Sequence, residues 1–147
     1  MLAQDGGSNS AIVSLSDEVI VYEDTIRKYA KEYDIEDYVS LLQAIMMQES
    51  GGKGNDPMQA SESGYNTKYP RVPNGITDPE YSIEVGTHTF SDCLKKAKVK
   101  DSSDTERIYL LCRDIIMALA ILNGQFVILV DILNIMHNSF LTIKNKS

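Results

Sequence analysis

Residues 39–63 read VSLLQAIMMQESGGKGNDPMQASES. The first half, with Val39, Leu41, Leu42, Ala44, Ile45, Met46 and Met47, is apolar almost all round a helical turn, which predicts a helix buried in a core. Gly51 and Gly52 offer the left-handed residue that commonly follows a helix, so the helix is expected to end at Glu49 and Ser50. From there to Pro79 periodicity is lost while Gly, Pro, Asn and Ser accumulate, predicting a long loop with short turns or strands. Loops of that length inside a small domain are usually functional or disordered. Residues 47–63 also hold the densest set of polar candidates in the chain: Glu49, Ser50, Asp56, Gln59, Ser61, Glu62 and Ser63. A carboxylic acid that terminates an apolar helix is partly desolvated, which disfavours its charged form and raises its pKa. A general acid working near neutral pH needs that state. Cleaving a glycosidic bond requires such an acid on the leaving oxygen, with a second carboxylate or a positioned water on the opposite face of the sugar. A glutamate before Ser-Gly-Gly is equally an ordinary helix stop, and Asp56-Pro57 an ordinary turn opening, so residue chemistry alone leaves both readings open.

Working outward, Ser16 followed by Asp17 and Glu18 supplies an N-cap with acidic first-turn residues. Val19, Tyr22, Ile26, Tyr29 and Tyr33 then recur at helical spacing and predict one amphipathic helix, with Arg27, Lys28 and Lys31 toward its end. On the far side of the loop, Thr77, Asp78 and Pro79 read as a capping residue ahead of a first-turn proline, opening a helix that buries Ile83, Phe90, Leu94 and Ala97. Ser103 and Glu106 have capping-box spacing ahead of Ile108, Tyr109, Leu110 and Leu111, predicting one more helix. Two further helical-looking stretches follow at 115–122 and 126–136. The reading is a mainly α domain with a long active-site loop region.

At 147 residues and 43% hydrophobic the chain suits one packed domain. A formal charge of −7 leaves no basic stripe for phosphate backbones, so nucleic acid is not an expected partner. Cys93 and Cys112 are too few for a disulfide framework and are read as free thiols. No metal site is expected, because the chain has only two histidines, His88 and His137, and they stand far apart; no cofactor is expected either. Tyr65 and Tyr69 are candidates for stacking on sugar rings or on their own domain. No signal peptide is visible in residues 1–10, and residues 1–15 read as a leader or linker. The apolar stretch 115–130 is interrupted by Asn123, Gly124 and Gln125 and falls short of a membrane span.

Residues 28–33 (KYAKEY), 45–59 (IMMQESGGKGNDPMQ), 61–63 (SES) and 76–83 (ITDPEYSI), with Gly86, Phe90 and 92–94 (DCL), resemble the lysozyme-like domain of the CwlT-type cell-wall hydrolases found on conjugative transposons. That family lies within the lysozyme and lytic-transglycosylase superfamily, which is α+β, and the resemblance covers roughly residues 15–110. It implies a peptidoglycan hydrolase, an N-acetylmuramidase cutting a β-1,4 glycosidic bond of the glycan strands outside the cell or at its surface, as a monomer. It implies that Glu49 is the catalytic acid. Ser50, Asp56, Gln59, Ser61, Glu62 and Ser63 would bind substrate, with Gln59 offering amide groups to an N-acetyl sugar and Asp56 or a cleft hydroxyl orienting the attacking water. Lytic transglycosylation by the same acid, and a remnant that only binds glycan, are the alternatives.

After Leu110 the resemblance stops. The family continues with an aromatic, glycine-rich segment of the form QGYNYG, whereas this chain reads LCRDIIMA at 111–118, and all 8 tyrosines lie at or before Tyr109. Back-translated with chosen codons, residues 112–121 spell QGYNYGFGY in the shifted frame, and Met117-Ala118 forces a glycine there whatever the codons. A base lost near Leu110 or Leu111 is therefore expected, making 16–111 an incomplete lysozyme-like domain and 112–147 an out-of-frame tail not shaped to pack on it.

Overall fold

The structure, a computed structural model, describes residues 14–104, 106–108, 110 and 111. Residues 1–13 of the expected leader, the stretches 115–122 and 126–136, Cys112, His137 and the expected out-of-frame tail lie outside the described residues, while Leu15, placed in the leader by sequence, packs against the core. Among the described residues the helices α1 (Asp17–Val21), α2 (Glu23–Glu32), α3 (Val39–Glu49) and α4 (Pro79–Lys96) follow in that order, with a short 3-10 turn at Glu36–Tyr38 leading into α3. No strand occurs among the described residues, so the loop from 51 to 78 is built of turns.

The first amphipathic segment is two helices and not one. Tyr22 sits between them with φ −87° and ψ 2°, and its N–H donates to the Val19 carbonyl in a 3-10 fashion. Ser16 caps α1, its Oγ accepting from Val19 N; such caps contribute about 1 kcal/mol. The same Oγ donates to the Gly51 carbonyl at 2.8 Å, tying the start of α1 to the exit of α3. Asp34, at φ 56°, ends α2: Asp34 N donates to Lys31 O and Ile35 N to Ala30 O, the paired bonds of a Schellman stop. Lys98, at φ 55°, ends α4 the same way, with bonds to Lys95 O and Leu94 O. At its start, the Asp78 carboxylate accepts from Glu80 N and Tyr81 N ahead of Pro79.

The expected capping box at Ser103 is displaced by one residue. Ile108 N donates to Asp104 O, so that turn begins at Asp104, while the Ser103 side chain folds back onto the Asp101 carboxylate. Residues 106–108, 110 and 111 are helical.

The core lies where α2 packs on α3 and α4. Ile26 and Ala30 from α2, Leu42 and Met46 from α3, and Ile83 from α4 are fully buried there. Each large apolar side chain removed from water in this way stabilises by about 1.5–3 kcal/mol. Phe90 meets Tyr38 edge to face at 6.0 Å. Ala97, expected on the buried face of α4, is its half-buried C-cap. Leu41, Ile45 and Met47 are only partly covered, so α3 is open on the side that leads to Glu49.

Candidate active site

Glu49 is the last residue of α3, and the chain turns away from it through Gly51, at φ 65°, whose N–H closes onto the Met47 carbonyl. Gly52, at φ 78°, then passes so close to α1 that a Cβ would stand 2.8 Å from the Glu18 carbonyl carbon and the Val19 nitrogen. This crossing fixes where the helix end, and its carboxylate, sit relative to the rest of the molecule.

The Glu49 side chain opens into a groove of about 370 Å³. One wall is the loop, through Met58, Gln59, Ala60 and Ser63; the other is α4, through Gly86, Thr89, Phe90 and Cys93; Ile45 and Glu49 close the end. Burial is the first reason that the Glu49 carboxyl is pushed up to about 7, and the nearby Asp56 charge adds to it. No hydrogen bond or ion pair to the Glu49 carboxylate forms among the described residues, so nothing there compensates its charged form.

Asp56 and Ser61, expected on the cleft wall, lie behind it. Asp56 is 2% exposed and its carboxylate accepts from Ala60 N (2.9 Å), Ser61 N (3.2 Å), Ser82 Oγ (2.6 Å) and Ser61 Oγ. Ser61 Oγ also accepts from Ile76 N at 2.9 Å, and Ser82 Oγ from Met58 N at 3.1 Å. A carboxylate is tolerated in the interior only when its oxygens are hydrogen-bonded, and here the donors that reach them wrap residues 56–61 around one point. The loop wall is therefore organised by Asp56 from inside, which leaves that carboxylate no free face for a water in the groove.

Ser50 is likewise turned inward, its Oγ donating to Pro57 O at 2.7 Å and accepting from Gly52 N at 3.0 Å. Glu62 is exposed and does not line the groove. Gln59 and Ser63 do line it. Thr89 Oγ1 donates to its own helix at Val85 O (2.8 Å), so the 2.7 Å contact with Ser63 is one in which the Ser63 hydroxyl donates. Of the predicted set, the groove thus brings together Glu49, Gln59 and Ser63, and Glu49 is the one carboxylate on its wall among the described residues.

Sequence reasoning missed the α4 wall. Ser82, Gly86, Thr89 and Cys93 fall at i, i+4, i+7 and i+11, a stripe of small residues at helical spacing and so a readable signal. It lets the loop come in close: a Cβ at Gly86 would stand 2.7 Å from Met58 Cβ. The loop tyrosines pack on their own domain. Tyr65 stacks on His88 at 3.7 Å, His88 on Tyr33 at 4.5 Å, and Tyr69 tilts against Tyr81 at 5.5 Å. Among the described residues no group of three His, Cys, Asp or Glu is placed to hold a metal ion, and no helix is long and apolar enough to cross a membrane.

Comparison with known proteins gives the following likenesses. The lysozyme-like family pattern matches residues 16–109. The chain is 40% identical over 92 residues to the bifunctional muramidase/DL-endopeptidase CwlT of Bacillus subtilis (strain 168), which spans 63% of this chain and 26% of the relative. It is 38% identical over 79 residues to the uncharacterized membrane protein YocA of the same organism, covering 54% of this chain and 33% of the relative. The chain therefore spans a quarter to a third of the length of these curated relatives. A crystal structure described as similar to lipoprotein, NLP/P60 family, from Staphylococcus aureus subsp. aureus Mu50 superposes with a TM-score of 0.53 at 45% identity, over 59% of this chain and 28% of that one.

Proposed function

The chain belongs to the lysozyme-like family, and from that premise we propose that its groove binds a peptidoglycan glycan strand and cleaves a β-1,4 glycosidic bond, acting as an N-acetylmuramidase at or outside the cell surface. The observation that carries this reading is Glu49: an acid at the mouth of a buried helix, facing a groove, with its proton held up to about pH 7. In that state it donates a proton to the leaving oxygen at neutral pH, which is the half of the reaction a carboxylic acid must supply. The muramidase activity in the name of the CwlT relative agrees with it.

Because Asp56 is spent on the loop interior, the attacking water is oriented in this proposal by groove groups other than a second carboxylate. The Ser63 hydroxyl, whose proton goes to Thr89 and which accepts from Tyr65 N, keeps one lone pair for that purpose. A single acid on the wall also suits lytic transglycosylation, in which the muramic 6-hydroxyl attacks in place of water. Clearing of purified cell walls by this chain and by Glu49→Gln, with mass spectrometry of the released muropeptides, tests both. Clearing lost in the Gln variant with reducing ends released is the expected result; anhydro ends assign the transglycosylase, and undiminished clearing by Glu49→Gln overturns the role of Glu49. Absence of clearing by the parent chain, with glycan still bound, assigns a binding remnant.

A further inference from the structure

Gln59 and Asn74 are both non-glycine residues in the left-handed region, at φ 47° and φ 56°. They meet across 15 residues of loop, the Gln59 Nε2 donating to Asn74 Oδ1 at 2.9 Å. The same Nε2 donates to the Asp56 backbone carbonyl at 3.0 Å. Asparagine tolerates this conformation; glutamine rarely adopts it, and such backbone persists only where its surroundings over-determine it. The surroundings here are the turn itself, since Gln59 N also donates to Asp56 O at 2.9 Å.

These contacts decide which way the amide faces. The Asp56 carbonyl can only accept, so the nitrogen end of the Gln59 amide must lie toward it, and a flipped amide would set two acceptors against each other. With both Nε2 protons engaged, Oε1 is the part of the amide left without a partner among the described residues, on a residue that lines the groove. The side chain is exposed, so the arrangement is not sustained by burial.

Building on the glycan-binding reading above, we propose that Asn74 is a positioning residue: it locks the Gln59 amide so that the groove presents a carbonyl acceptor, Gln59 Oε1, to the N–H of an N-acetyl group on the glycan. Asn74 does not touch the substrate itself. Freed from Asn74, the amide is held at Nε2 by the Asp56 carbonyl alone, so Oε1 swings over a wider range of directions from which the glycan must select the one that accepts.

The test measures binding of an N-acetylglucosamine tetramer by titration calorimetry to the full chain carrying Glu49→Gln, so that no turnover intervenes. Asn74→Gly removes the acceptor while suiting the left-handed backbone, so melting temperature stays level or rises while affinity falls about five- to tenfold, the worth of one oriented hydrogen bond. Asn74→Asp keeps an oxygen toward Nε2 and retains parental affinity within about threefold on the same scale. In the Glu49 background, Asn74→Gly raises KM more than it lowers kcat. Parental affinity in Asn74→Gly, an equal loss in Asn74→Asp, or no binding of the tetramer by the folded parent overturns the proposal. Binding that follows this pattern in a chain that clears no wall overturns only the hydrolase reading.

Discussion

Replacing Glu49 by glutamine removes the charge while keeping the side-chain shape, and its effect on stability must depend on pH in one direction only. The folded-state carboxyl titrates at about 7 against an ordinary value of 4.5. Below pH 4.5 both folded and unfolded chains carry the neutral acid and the charge costs nothing. Between 4.5 and 7 the folded chain holds a proton that the unfolded chain has released, so stability falls as pH rises through that window. Above 7 both are ionised and the cost is constant. At about 1.36 kcal/mol per pKa unit the full shift corresponds to roughly 3 kcal/mol. Because Glu49 is only half-buried, water screens part of that, and about 2 kcal/mol is the working figure. Glu49→Gln should thus match the parent at pH 4 and exceed it by about 2 kcal/mol at pH 8, a rise in Tm of roughly 10 °C for a domain of this size. Thermal unfolding of both chains by circular dichroism at the two pH values measures it. An equal difference at pH 4 and pH 8 would refute the argument that desolvation holds the proton. Wall clearing should decline above pH 7 for the same reason, as the donor form is lost.

Two further substitutions probe the groove walls. Asp56→Ala strips the acceptor from four donors and should cost about 3 kcal/mol or more in urea unfolding; a change under about 1 kcal/mol would show that the loop does not depend on that carboxylate. Gly86→Ala sets a methyl 2.7 Å from Met58 Cβ and should cost about 1 kcal/mol net of the helix propensity it gains; a gain in stability would mean that α4 and the loop are less closely packed than described.

Local rules carried the helices. The α3 segment needs only its own apolar run and Gly51 to be legible, because the C-terminal stop is made by bonds four residues apart. Pro79 and Asp78 mark the start of α4 as clearly. The break at Tyr22 and the one-residue shift at Asp104 were not legible, since both are set by which backbone carbonyl is nearest after packing.

Where the raised carboxyl stands was also a local matter: an exit from an apolar helix partly desolvates the residue there, and at that place stands Glu49. Which of its polar neighbours face the groove was not. Asp56 and Ser61 on one side, Gln59 and Ser63 on the other, alternate within eight residues of one loop, and a loop has no period from which sidedness can be read. That choice was made by Ser82, 26 residues away on α4, whose hydroxyl draws Asp56 inward, and by Asn74, which holds Gln59 at the surface. Sequence alone thus determined the extent of α3, the start of α4 and the desolvated carboxyl at Glu49, through interactions within a turn or two of chain. Only the tertiary structure decided the groove, because the hydrogen bonds that orient its walls join residues far apart in sequence.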